Sequence, residues 1–452
     1  MTLKAYEDFI KGKKVSVIGI GVSNMPLIRF LTKFGACVTA RDKKEREAIA
    51  EKAAELESMG VKLVCGEKYL DGISDDIIFK TPGMRPDNPY LLEAAEKGSG
   101  LTSEMELFFE LCPCRIFAVT GSDGKTTTTT LIYNILKQAG YTCYLGGNIG
   151  RPLIGDIEKI KESDMAVLEL SSFQLFSMKK SANTAVVTNL SPNHLDWHKN
   201  MAEYEEAKKT VYKFQNENDT LIVNYDNEIT RRMSGEAKGK AVYFSRKEKI
   251  GVYAADGIVR DENGAEIMKV SDIKLPGNHN LENYLAAAAA TKDFVSYDDI
   301  KEVARNFSGV EHRIELFREF NGIKFYNDSI ASSPPRTLAA LNSLSQKLIM
   351  ISGGYDKKIP FDTIGKPVQE KVKELVLVGA TAEKIKTAVE NAGSDTHITV
   401  CRSFEEAVQT AYGYAKEGDI VILSPMCASF DLFDNFMQRG NRFKELVNSI
   451  EE

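Results

Sequence analysis

Short apolar stretches alternate with helical patterns along the chain, and this alternation constrains the fold more than any other feature. The first series is rich in valine and isoleucine, with helical segments such as "KKEREAIAEKAAELESMG" in the same region: "KVSVIGI", "ACVTA", "VKLVC" and "DIIFK". Strands that alternate with helices are typical of βαβ units on a parallel sheet. The sequence therefore predicts an α/β fold.

The same alternation occurs in two further series. The second contains "RIFAVT", "MAVLEL", "TAVVTNL" and "TLIVN", then a hairpin-like segment and a helix, and the third contains "GIKFYND", "KLIMIS", "ELVLVG", "ITVC" and "DIVILS". At ~150 residues per domain, a chain of 452 residues has room for about three domains. We predict α/β domains at 1–104, 105–309 and 310–452, of which the first and third are Rossmann-like.

The charge balance excludes a typical nucleic-acid-binding protein, because 58 Lys and Arg residues stand against 64 Asp and Glu residues. The N-terminus "MTLKAYEDFIKGKK" has no apolar signal core, and no run of ~18 apolar residues occurs in the chain. We therefore expect a cytoplasmic protein with neither a nucleic-acid nor a membrane partner. The seven cysteines are scattered, and we interpret Cys112 and Cys114 as two small buried residues with no assigned role.

The stretch "TGSDGKTTTTTL" lies between a predicted strand and a predicted helix, where backbone N–H groups at the helix N-terminus favour an anion. It supplies glycines for close approach to phosphate, one ammonium group and hydroxyls that can reach Mg²⁺: Gly121, Gly124, Lys125 and either Thr126 or Thr127. Val119 stands where the strict phosphate-loop pattern has its first glycine, so a plain glycine turn with a surface lysine is the alternative. We interpret the stretch as the ATP-binding loop of a P-loop ATPase-like central domain.

Two further segments follow apolar strands and carry candidate metal ligands. Glu169 ends the strand in "DMAVLELSSFQL", where a carboxylate can hold the metal of a Mg-ATP site. His194, in "NLSPNHLDWHKN", is a candidate metal or phosphate contact at the same edge of the sheet. His194 and His198 also have the i, i+4 spacing of a zinc pair, but no third ligand lies at helical spacing and Pro192 indicates a loop.

A partial dinucleotide-binding fingerprint follows the first predicted strand. "GIGVSN" has Asn24 where the third glycine belongs, and Asp42 ends the next strand as a ribose-binding acid would. A nicotinamide-dependent oxidoreductase is therefore an alternative. That interpretation leaves the phosphate loop unexplained.

Several segments occur in the order found in Mur ligases, and the sequence resembles this family over essentially its whole length. They are "TGSDGKTTTTT", "GGNIG", "ELSSFQL", "NLSPNHLDWH", "GNHNLENYLAAAAA", "GVEHRIE", "FYNDSIASSP" and "SPMCASFDLFDNFMQRGNRF". The phosphate loop alone would also admit folylpolyglutamate synthase. The resemblance implies an ATP-dependent amide ligase of cytoplasmic peptidoglycan synthesis, which joins D-glutamate to UDP-N-acetylmuramoyl-L-alanine through an acyl phosphate. We expect a monomer.

The resemblance also implies that the first domain holds UDP, the second ATP and the third the amino acid. The implied ATP contacts are Gly121, Ser122, Asp123, Gly124, Lys125, Thr126, Thr127, Asn280, Asn283, Arg313 and Asp328. Two Mg²⁺ ions are implied, one held by Thr126 and Glu169 and the other by His194 and a carbamylated Lys208. Lys125, His194 and Lys208 are the implied catalytic residues, although a helical lysine such as Lys208 is by itself expected at the surface.

The substrate contacts complete the implied site. Those for the UDP substrate are Val22, Ser23, Asp42, Thr81, Pro82, Gly83 and Asn148, and those for D-glutamate are Ser332, Lys357, Ser429, Phe430 and Phe436. This chain reads "NDSIASS" where many family members read NDSKATN, so Ile330 replaces a lysine and Ser332 a threonine. A sister ligase that adds another amino acid and an ATPase without ligase activity are therefore the further alternatives.

Overall fold

The computed structural model describes residues 1–451 except 22, 196, 276 and 357–359. The predicted substrate contacts Val22 and Lys357 lie outside the described residues. The α-helices are α1 Leu3–Ile10, α2 Asn24–Lys33, α3 Ala50–Ser58, α4 Pro89–Glu96, α5 Glu104–Leu111, α6 Lys125–Gln138, α7 Ser172–Leu175, α8 Met201–Lys213, α9 Glu228–Met233, α10 Asn278–Thr291, α11 Tyr297–Asn306, α12 Pro334–Ser343, α13 Gly365–Lys371, α14 Ala382–Asn391, α15 Phe404–Tyr414 and α16 Phe436–Asn448.

The strands follow the apolar stretches closely. They are β1 Lys14–Ile18, β2 Cys37–Asp42, β3 Lys62–Cys65, β4 Ile77–Phe79, β5 Gly100–Thr102, β6 Arg115–Thr120, β7 Cys143–Gly147, β8 Met165–Glu169, β9 Thr184–Val187, β10 Thr220–Asn224, β11 Lys240–Ser245, β12 Val252–Ala255, β13 Ile258–Arg260, β14 Glu266–Lys269, β15 Glu315–Phe320, β16 Ile323–Asn327, β17 Leu348–Ser352, β18 Val372–Leu377, β19 His397–Val400 and β20 Ile420–Leu423.

These strands form three sheets, which confirm the predicted three-domain α/β architecture. The first sheet has the order β3-β2-β1-β4-β5 with parallel pairing, the order of a doubly wound nucleotide-binding half. The second has the order β14-β13-β12-β11-β10-β9-β6-β8-β7, and only its β12–β13–β14 hairpins are antiparallel among the described residues. The third has the order β15-β16-β20-β17-β18-β19, with an antiparallel edge strand at β15.

The chain divides into two compact units, Met1–Phe307 and Ser308–Glu452. The first unit contains the first two sheets, and the second unit contains the third. The domain ranges expected from the sequence stay predictions. Within the described residues, no helix combines the length and the apolar character needed to cross a membrane.

The centre of the second sheet positions the candidate site. Strands β8 and β9 are buried at every residue, and β6 pairs with both of them in parallel. Strands covered on both faces read as continuous apolar runs, which is why these segments are rich in Val, Ala and Leu. Because the pairing is parallel, the carboxyl ends of β6, β8 and β9 meet at one edge of the sheet.

Candidate active site

The loop between β6 and α6 depends on two glycines. Gly121 has a φ of 146° and Gly124 a φ of 75°, both unfavourable for other residues. A Cβ at Gly121 would lie 2.0 Å from Thr188 Oγ1, and one at Gly124 would lie 2.3 Å from Asn283 Oδ1. The loop therefore packs tightly at the N-terminus of a 14-residue helix, where the helix dipole favours an anion.

Hydrogen bonds hold the predicted phosphate loop in place. Lys125 Nζ donates to the carbonyl oxygens of Gly121 at 3.0 Å and Ser122 at 2.7 Å, so its ammonium group lies over the loop. The Asp123 N–H donates to Asn189 Oδ1 at 3.0 Å, which ties the loop to the segment after β9. The loop is thus fixed before any phosphate binds.

The threonines that follow the loop have separate surroundings. Thr126 is buried and Thr127 is half-buried at the start of α6. Thr129 and Thr130 donate to the helical carbonyl oxygens of Lys125 and Thr126, each at 2.8 Å. The hydroxyls of the later threonines are therefore hydrogen-bonded within the helix.

Glu169 lies at the end of β8. One of its carboxylate oxygens is hydrogen-bonded, and the other has no hydrogen-bond partner among the described residues. Asn148 Nδ2 donates to Glu169 Oε1 at 2.7 Å, and the Asn148 N–H donates to the Glu169 carbonyl oxygen at 2.8 Å. Glu169 is 2% exposed, and its Oε2 is buried without a hydrogen-bond partner among the described residues. An unpartnered buried carboxylate oxygen is costly unless a cation binds it, so this position fits a metal ligand.

Lys208 extends from α8 to the end of β6 and is 2% exposed, unlike the surface lysine that its helical context suggests. Its Nζ donates to Thr120 Oγ1 at 2.9 Å and to the Gly121 carbonyl oxygen at 3.0 Å. Burial, and then the nearby Lys125 charge, hold the pKa of Lys208 well below its usual range, although Glu169 opposes them. The structure thus brings the side chains of Lys125, Glu169 and Lys208 to one strand edge, where burial disfavours the charged form of Lys208.

The two histidines of the loop after β9 have different surroundings. His194 has a φ of 54° and its ring lies 4.9 Å from that of Phe173. His198 is 1% exposed, its Nε2 lies 2.9 Å from Ser172 Oγ, and burial lowers its pKa. His198 is therefore a core residue within an aromatic cluster. The described residues contain no group of three or more His, Cys, Asp or Glu side chains that could hold a metal by themselves.

Helix α10 carries the predicted ATP contacts Asn280 and Asn283 and brings Asn283 to the phosphate loop. Thr128 Oγ1 donates to Asn283 Oδ1 at 3.2 Å, and Asn283 Nδ2 lies 3.4 Å from Asn280 Oδ1. Asn283 is buried and also faces Gly124, as the close approach of a Cβ there indicates. Asn283, a predicted ATP contact, thus packs against the phosphate loop.

A cleft within the first unit is lined in part by Gly147, the residue that precedes Asn148. Its walls come from loops, from the first turns of helices and from the end of β7: Ser23, Asn24, Lys80, Pro82, Ser103, Glu104, Met105, Gly147, Pro152, Phe173 and Gln174. Asp42 accepts the N–H groups of Ile20 and Lys44 at 2.7 and 2.9 Å, which shapes the turn before α2. The turn after β4 is also tied to the second sheet, since Trp197 Nε1 donates to the Gly83 carbonyl oxygen at 3.1 Å. Thr81 packs against Gly19 in the same turn region.

Lys80 and Glu104 line this cleft and were not predicted from the sequence. Burial lowers the pKa of Lys80 to about 8 and raises the pKa of Glu104 to about 7. Glu104 Oε1 is buried with no hydrogen-bond partner among the described residues. The available signal was the position of Lys80, a charged residue at the end of an apolar parallel strand and directly before a Thr-Pro-Gly turn.

In the second unit, a hydrogen-bond network around Arg439 includes the backbone of Phe436, one of the predicted amino-acid contacts. This buried guanidinium donates to Ser329 Oγ and to the carbonyl oxygens of Ser329, Cys427 and Ala428, at 2.9 to 3.1 Å. Ser329 Oγ donates in turn to the Phe436 carbonyl oxygen at 2.8 Å. Arg439, which the sequence did not single out, thus joins the segments after β16 and β20.

The other predicted residues of this unit occupy varied positions. Ser429 is buried, Ser332 is half-buried and Phe430 is 62% exposed. Asp328 accepts from Ser424 Oγ at 2.8 Å, and burial raises the pKa of Asp328 to about 7, with Arg313 acting in the opposite direction. Arg313 donates its N–H to the Val310 carbonyl oxygen at 3.0 Å.

Replacing Arg439 by Met is expected to destabilise the second unit by about 3–5 kcal/mol, because buried carbonyl oxygens lose their donors. Urea unfolding of the full chain measures this as a lower midpoint. Arg442→Met is the matched control one turn along α16, since Arg442 forms exposed ion pairs and its loss should leave the midpoint unchanged. Equal midpoints for the Arg439 and Arg442 variants would contradict the structural role of Arg439.

Comparisons with known proteins agree with this geometry. The Mur ligase middle domain matches residues 119–291, and the Mur ligase, glutamate ligase domain matches residues 312–427. The chain is 58% identical to the UDP-N-acetylmuramoylalanine--D-glutamate ligase of Acetivibrio thermocellus, over 99% of each chain. It is 54% identical to the enzyme of that name from Clostridium kluyveri, over 98% of each chain.

Solved structures agree at the level of the fold. The UDP-N-acetylmuramate-alanine ligase of Thermotoga maritima has a TM-score of 0.59 at 20% identity, covering 97% of this chain and 99% of that one. A pseudomurein peptide ligase type C from Methanothermus fervidus has a TM-score of 0.53 at 20% identity, covering 97% of this chain and 100% of that one. The family predicted from the sequence is thereby confirmed, and the chain belongs to the Mur ligases, the ATP-dependent amide ligases of peptidoglycan precursor synthesis.

Proposed function

We propose that the chain joins the amine of D-glutamate to UDP-N-acetylmuramoyl-L-alanine, with ATP converted to ADP and phosphate. The observation that carries this proposal is the 58% identity, over 99% of both chains, to a relative named for that reaction. The phosphate loop and the neighbouring Glu169 and Lys208 support the ATP-dependent part of the reaction.

The reaction must activate a carboxylate, which is a poor acyl donor because its oxygen leaves badly. The alanyl carboxylate attacks the γ-phosphorus, the bond to ADP breaks, and an acyl phosphate forms. The amine of D-glutamate then attacks the acyl carbon and loses a proton, and phosphate leaves. Lys125 and the N–H groups of the loop counter the negative charge that collects on the transferred phosphoryl group.

The donor set of the site fits Mg²⁺. Thr126 and Glu169 would hold one ion, since the open Oε2 of Glu169 is the kind of hard oxygen ligand that Mg²⁺ prefers. The amine of Lys208, whose pKa is lowered by burial, would add to CO₂ with loss of a proton, and the resulting carbamate, with His194, would hold a second ion. The ions would supply positive charge that offsets the charge of the phosphates.

We assign the cleft beside Asn148 to the UDP substrate. The predicted contacts Ser23 and Pro82 line it, and Asp42, Thr81 and Gly83 shape the turns behind these two residues. Lys80 joins this set, because an ammonium group at the wall of a cleft complements a pyrophosphate. Val22 keeps its predicted role, although it lies outside the described residues.

The second unit carries the proposed D-glutamate contacts and the remaining nucleotide contacts. The amino-acid residues are Ser332, Ser429, Phe430 and Phe436, together with Lys357 outside the described residues. Arg313 and Asp328 would contact the nucleotide, as would Asn280 and Asn283 of the first unit. Ile330 occupies the position where many family members have a lysine. The hydroxyls of Ser332 and Ser429 and the loop after β20 would therefore supply more of the recognition of D-glutamate.

We propose that the protein acts as a monomer. We also expect the protein to act in the cytoplasm, where the activated nucleotide sugars of this pathway are made. Light scattering at assay concentration would measure the mass of the active species. A mass of two chains under turnover conditions would contradict the monomer.

The proposal is tested by phosphate release from Mg-ATP and UDP-N-acetylmuramoyl-L-alanine, with D-glutamate, L-glutamate or L-lysine as the amine. Release confined to D-glutamate, with the matching amide identified by mass, is the expected result. Release with L-lysine would indicate a sister ligase. Release that needs neither co-substrate would indicate an ATPase.

Lys80→Met is expected to raise the KM for the UDP substrate by about tenfold, because a charge-assisted contact to phosphate is lost. The wild-type KM should also rise above pH 8, since the pKa of Lys80 lies at about 8 and the ammonium form that binds the anion is lost as pH rises. Initial rates measured between pH 7 and 9.5 test both effects. The pH-dependent rise in KM should occur within about one pH unit of the pKa.

Two controls separate this contact from a general loss of stability. Lys97→Met removes a surface lysine that is paired with Glu93, and it should leave KM unchanged. UDP should also inhibit the Lys80 variant less than the wild type, whereas uridine should inhibit both equally. A wild-type KM that does not change across this pH range would refute the assignment.

A further inference from the structure

A pair of cysteines outside the ligase site is arranged as a dithiol. Cys112 caps the C-terminus of α5, and Cys114 directly precedes β6, with Pro113 between them. The two Sγ atoms lie 3.5 Å apart and share a hydrogen bond in which either can be the donor. Both are free thiols in this structure. The contact therefore joins two groups that the proposed reaction does not use.

The two thiols differ in access. Cys112 is half-buried beside an exposed Pro113, whereas Cys114 is 5% exposed and packs in the core of the first unit. The shared hydrogen bond lowers the pKa of Cys112 and raises the pKa of Cys114, with burial adding to the rise for Cys114. Cys112 is thus the more accessible of the two cysteines and has the lower pKa, and Cys114 lies next to it in the core. Thiol–disulfide exchange needs this combination.

We propose that Cys112 and Cys114 form a reversible dithiol–disulfide site that exchanges with low-molecular-weight disulfides. The Cys112 thiolate attacks one sulfur of the small disulfide, whose S–S bond breaks and releases one thiolate. Cys114 gives its proton to that thiolate and attacks the Cys112 sulfur, and the second small thiol leaves. The net reaction converts the protein dithiol and one disulfide into a protein disulfide and two small thiols.

The position of the pair makes the change local. A disulfide needs the sulfurs at about 2.05 Å, so they approach by about 1.5 Å from their present separation. The Cys112 N–H donates to the Phe108 carbonyl oxygen at 2.9 Å, and Cys114 directly precedes the strand that ends at the phosphate loop. The disulfide would close a three-residue ring, Cys112 to Cys114, in the connection between α5 and β6.

The test uses the full chain in buffers of reduced and oxidised glutathione, followed by acid quenching, alkylation and trypsin. Cleavage after Lys97 and Arg115 yields one peptide, 98–115, that contains both cysteines. We expect this peptide to escape alkylation, to be lighter than the dithiol by two hydrogen atoms, and to return to the dithiol with dithiothreitol. Cys37, an exposed thiol, reports ordinary surface reaction in the same sample.

Variants assign the two roles. Cys114→Ser should accumulate glutathione on Cys112, because the resolving thiol is absent. In the Cys112→Ser variant, Cys114 should react at least about tenfold more slowly than Cys112 does, because Cys114 is buried. Cys143→Ser is the matched control, since Cys143 lies on β7 in the same sheet and should not alter the 98–115 peptide.

A 98–115 peptide that stays fully alkylated while Cys37 becomes glutathionylated would overturn the proposal. Formation of stable mixed disulfides on both cysteines of the wild type, without the internal bond, would also overturn it. The wild-type peptide decides the question even if a serine variant fails to fold.

Discussion

Glu169→Gln is expected to lower kcat by about 10³-fold while the fold is retained, because the change removes the charge of a proposed metal ligand but keeps its shape. The Gln amide oxygen can still accept from Asn148 Nδ2, so the bond that now fixes Oε1 survives. The variant should also need more Mg²⁺ for half-maximal rate. Phosphate release across a Mg²⁺ titration measures both quantities.

Glu236→Gln is the control for loss of a carboxylate in the same unit. Glu236 contacts Lys209 and Tyr212 at the surface and should tolerate the change. A Glu169→Gln enzyme with wild-type kcat and an unaltered Mg²⁺ dependence would show that the open carboxylate oxygen does not bind the metal.

Lys208→Met should lower kcat by about 10³-fold or more. The change removes both the amine that would be carbamylated and the donor to the Gly121 carbonyl oxygen. The change is also expected to leave folding intact, since a methionine fills similar space and does not bury an ionisable group. Steady-state rates and circular dichroism test these expectations together.

The adjacent lysine provides a matched comparison. Lys209 lies at the surface of the same helix and pairs with Glu206 and Glu236, so Lys209→Met should keep nearly full activity. In ¹³CO₂-saturated buffer the wild type should show a carbamate ¹³C resonance that Lys208→Met lacks and Lys209→Met keeps. A carbamate signal that persists in Lys208→Met would place the modification elsewhere.

The contrast between Lys208 and Lys209 also shows where the sequence ceases to be informative. Both lie in "YEEAKKTVYK", and helical periodicity alone treats them as a polar pair. The end of β6 distinguishes them, because Lys208 donates to Thr120 whereas Lys209 pairs with Glu206 and Glu236. The resemblance to Mur ligases identified Lys208, but its burial became visible only in the packed structure.

Patterns with a local physical cause were predicted well. The apolar parallel strands, the hairpins of β12–β14 and the phosphate loop follow from strand burial and glycine conformation, which act over a few residues. Strands β5, β7, β11 and β15 were not predicted; the "CYLGG" sequence of β7, for example, combines two glycines with partial burial. The buried charges of Lys80, Glu104 and Arg439 were also missed, because charged residues are usually exposed and only tertiary packing reveals the exceptions.

The backbone conformation at Gly147 links Asn148, a proposed contact of the sugar nucleotide, to Glu169, a proposed metal ligand. Its φ of 95° and the 2.2 Å approach of a Cβ to the Glu169 carbonyl oxygen allow Asn148 to bond both the backbone and the carboxylate of Glu169. If the Asn148 amide turns to the sugar nucleotide, Glu169 Oε1 is released and the carboxylate can offer two oxygens to the metal. Thermodynamic reciprocity then requires that the sugar nucleotide tighten Mg²⁺ binding and that Mg²⁺ tighten sugar-nucleotide binding by the same factor.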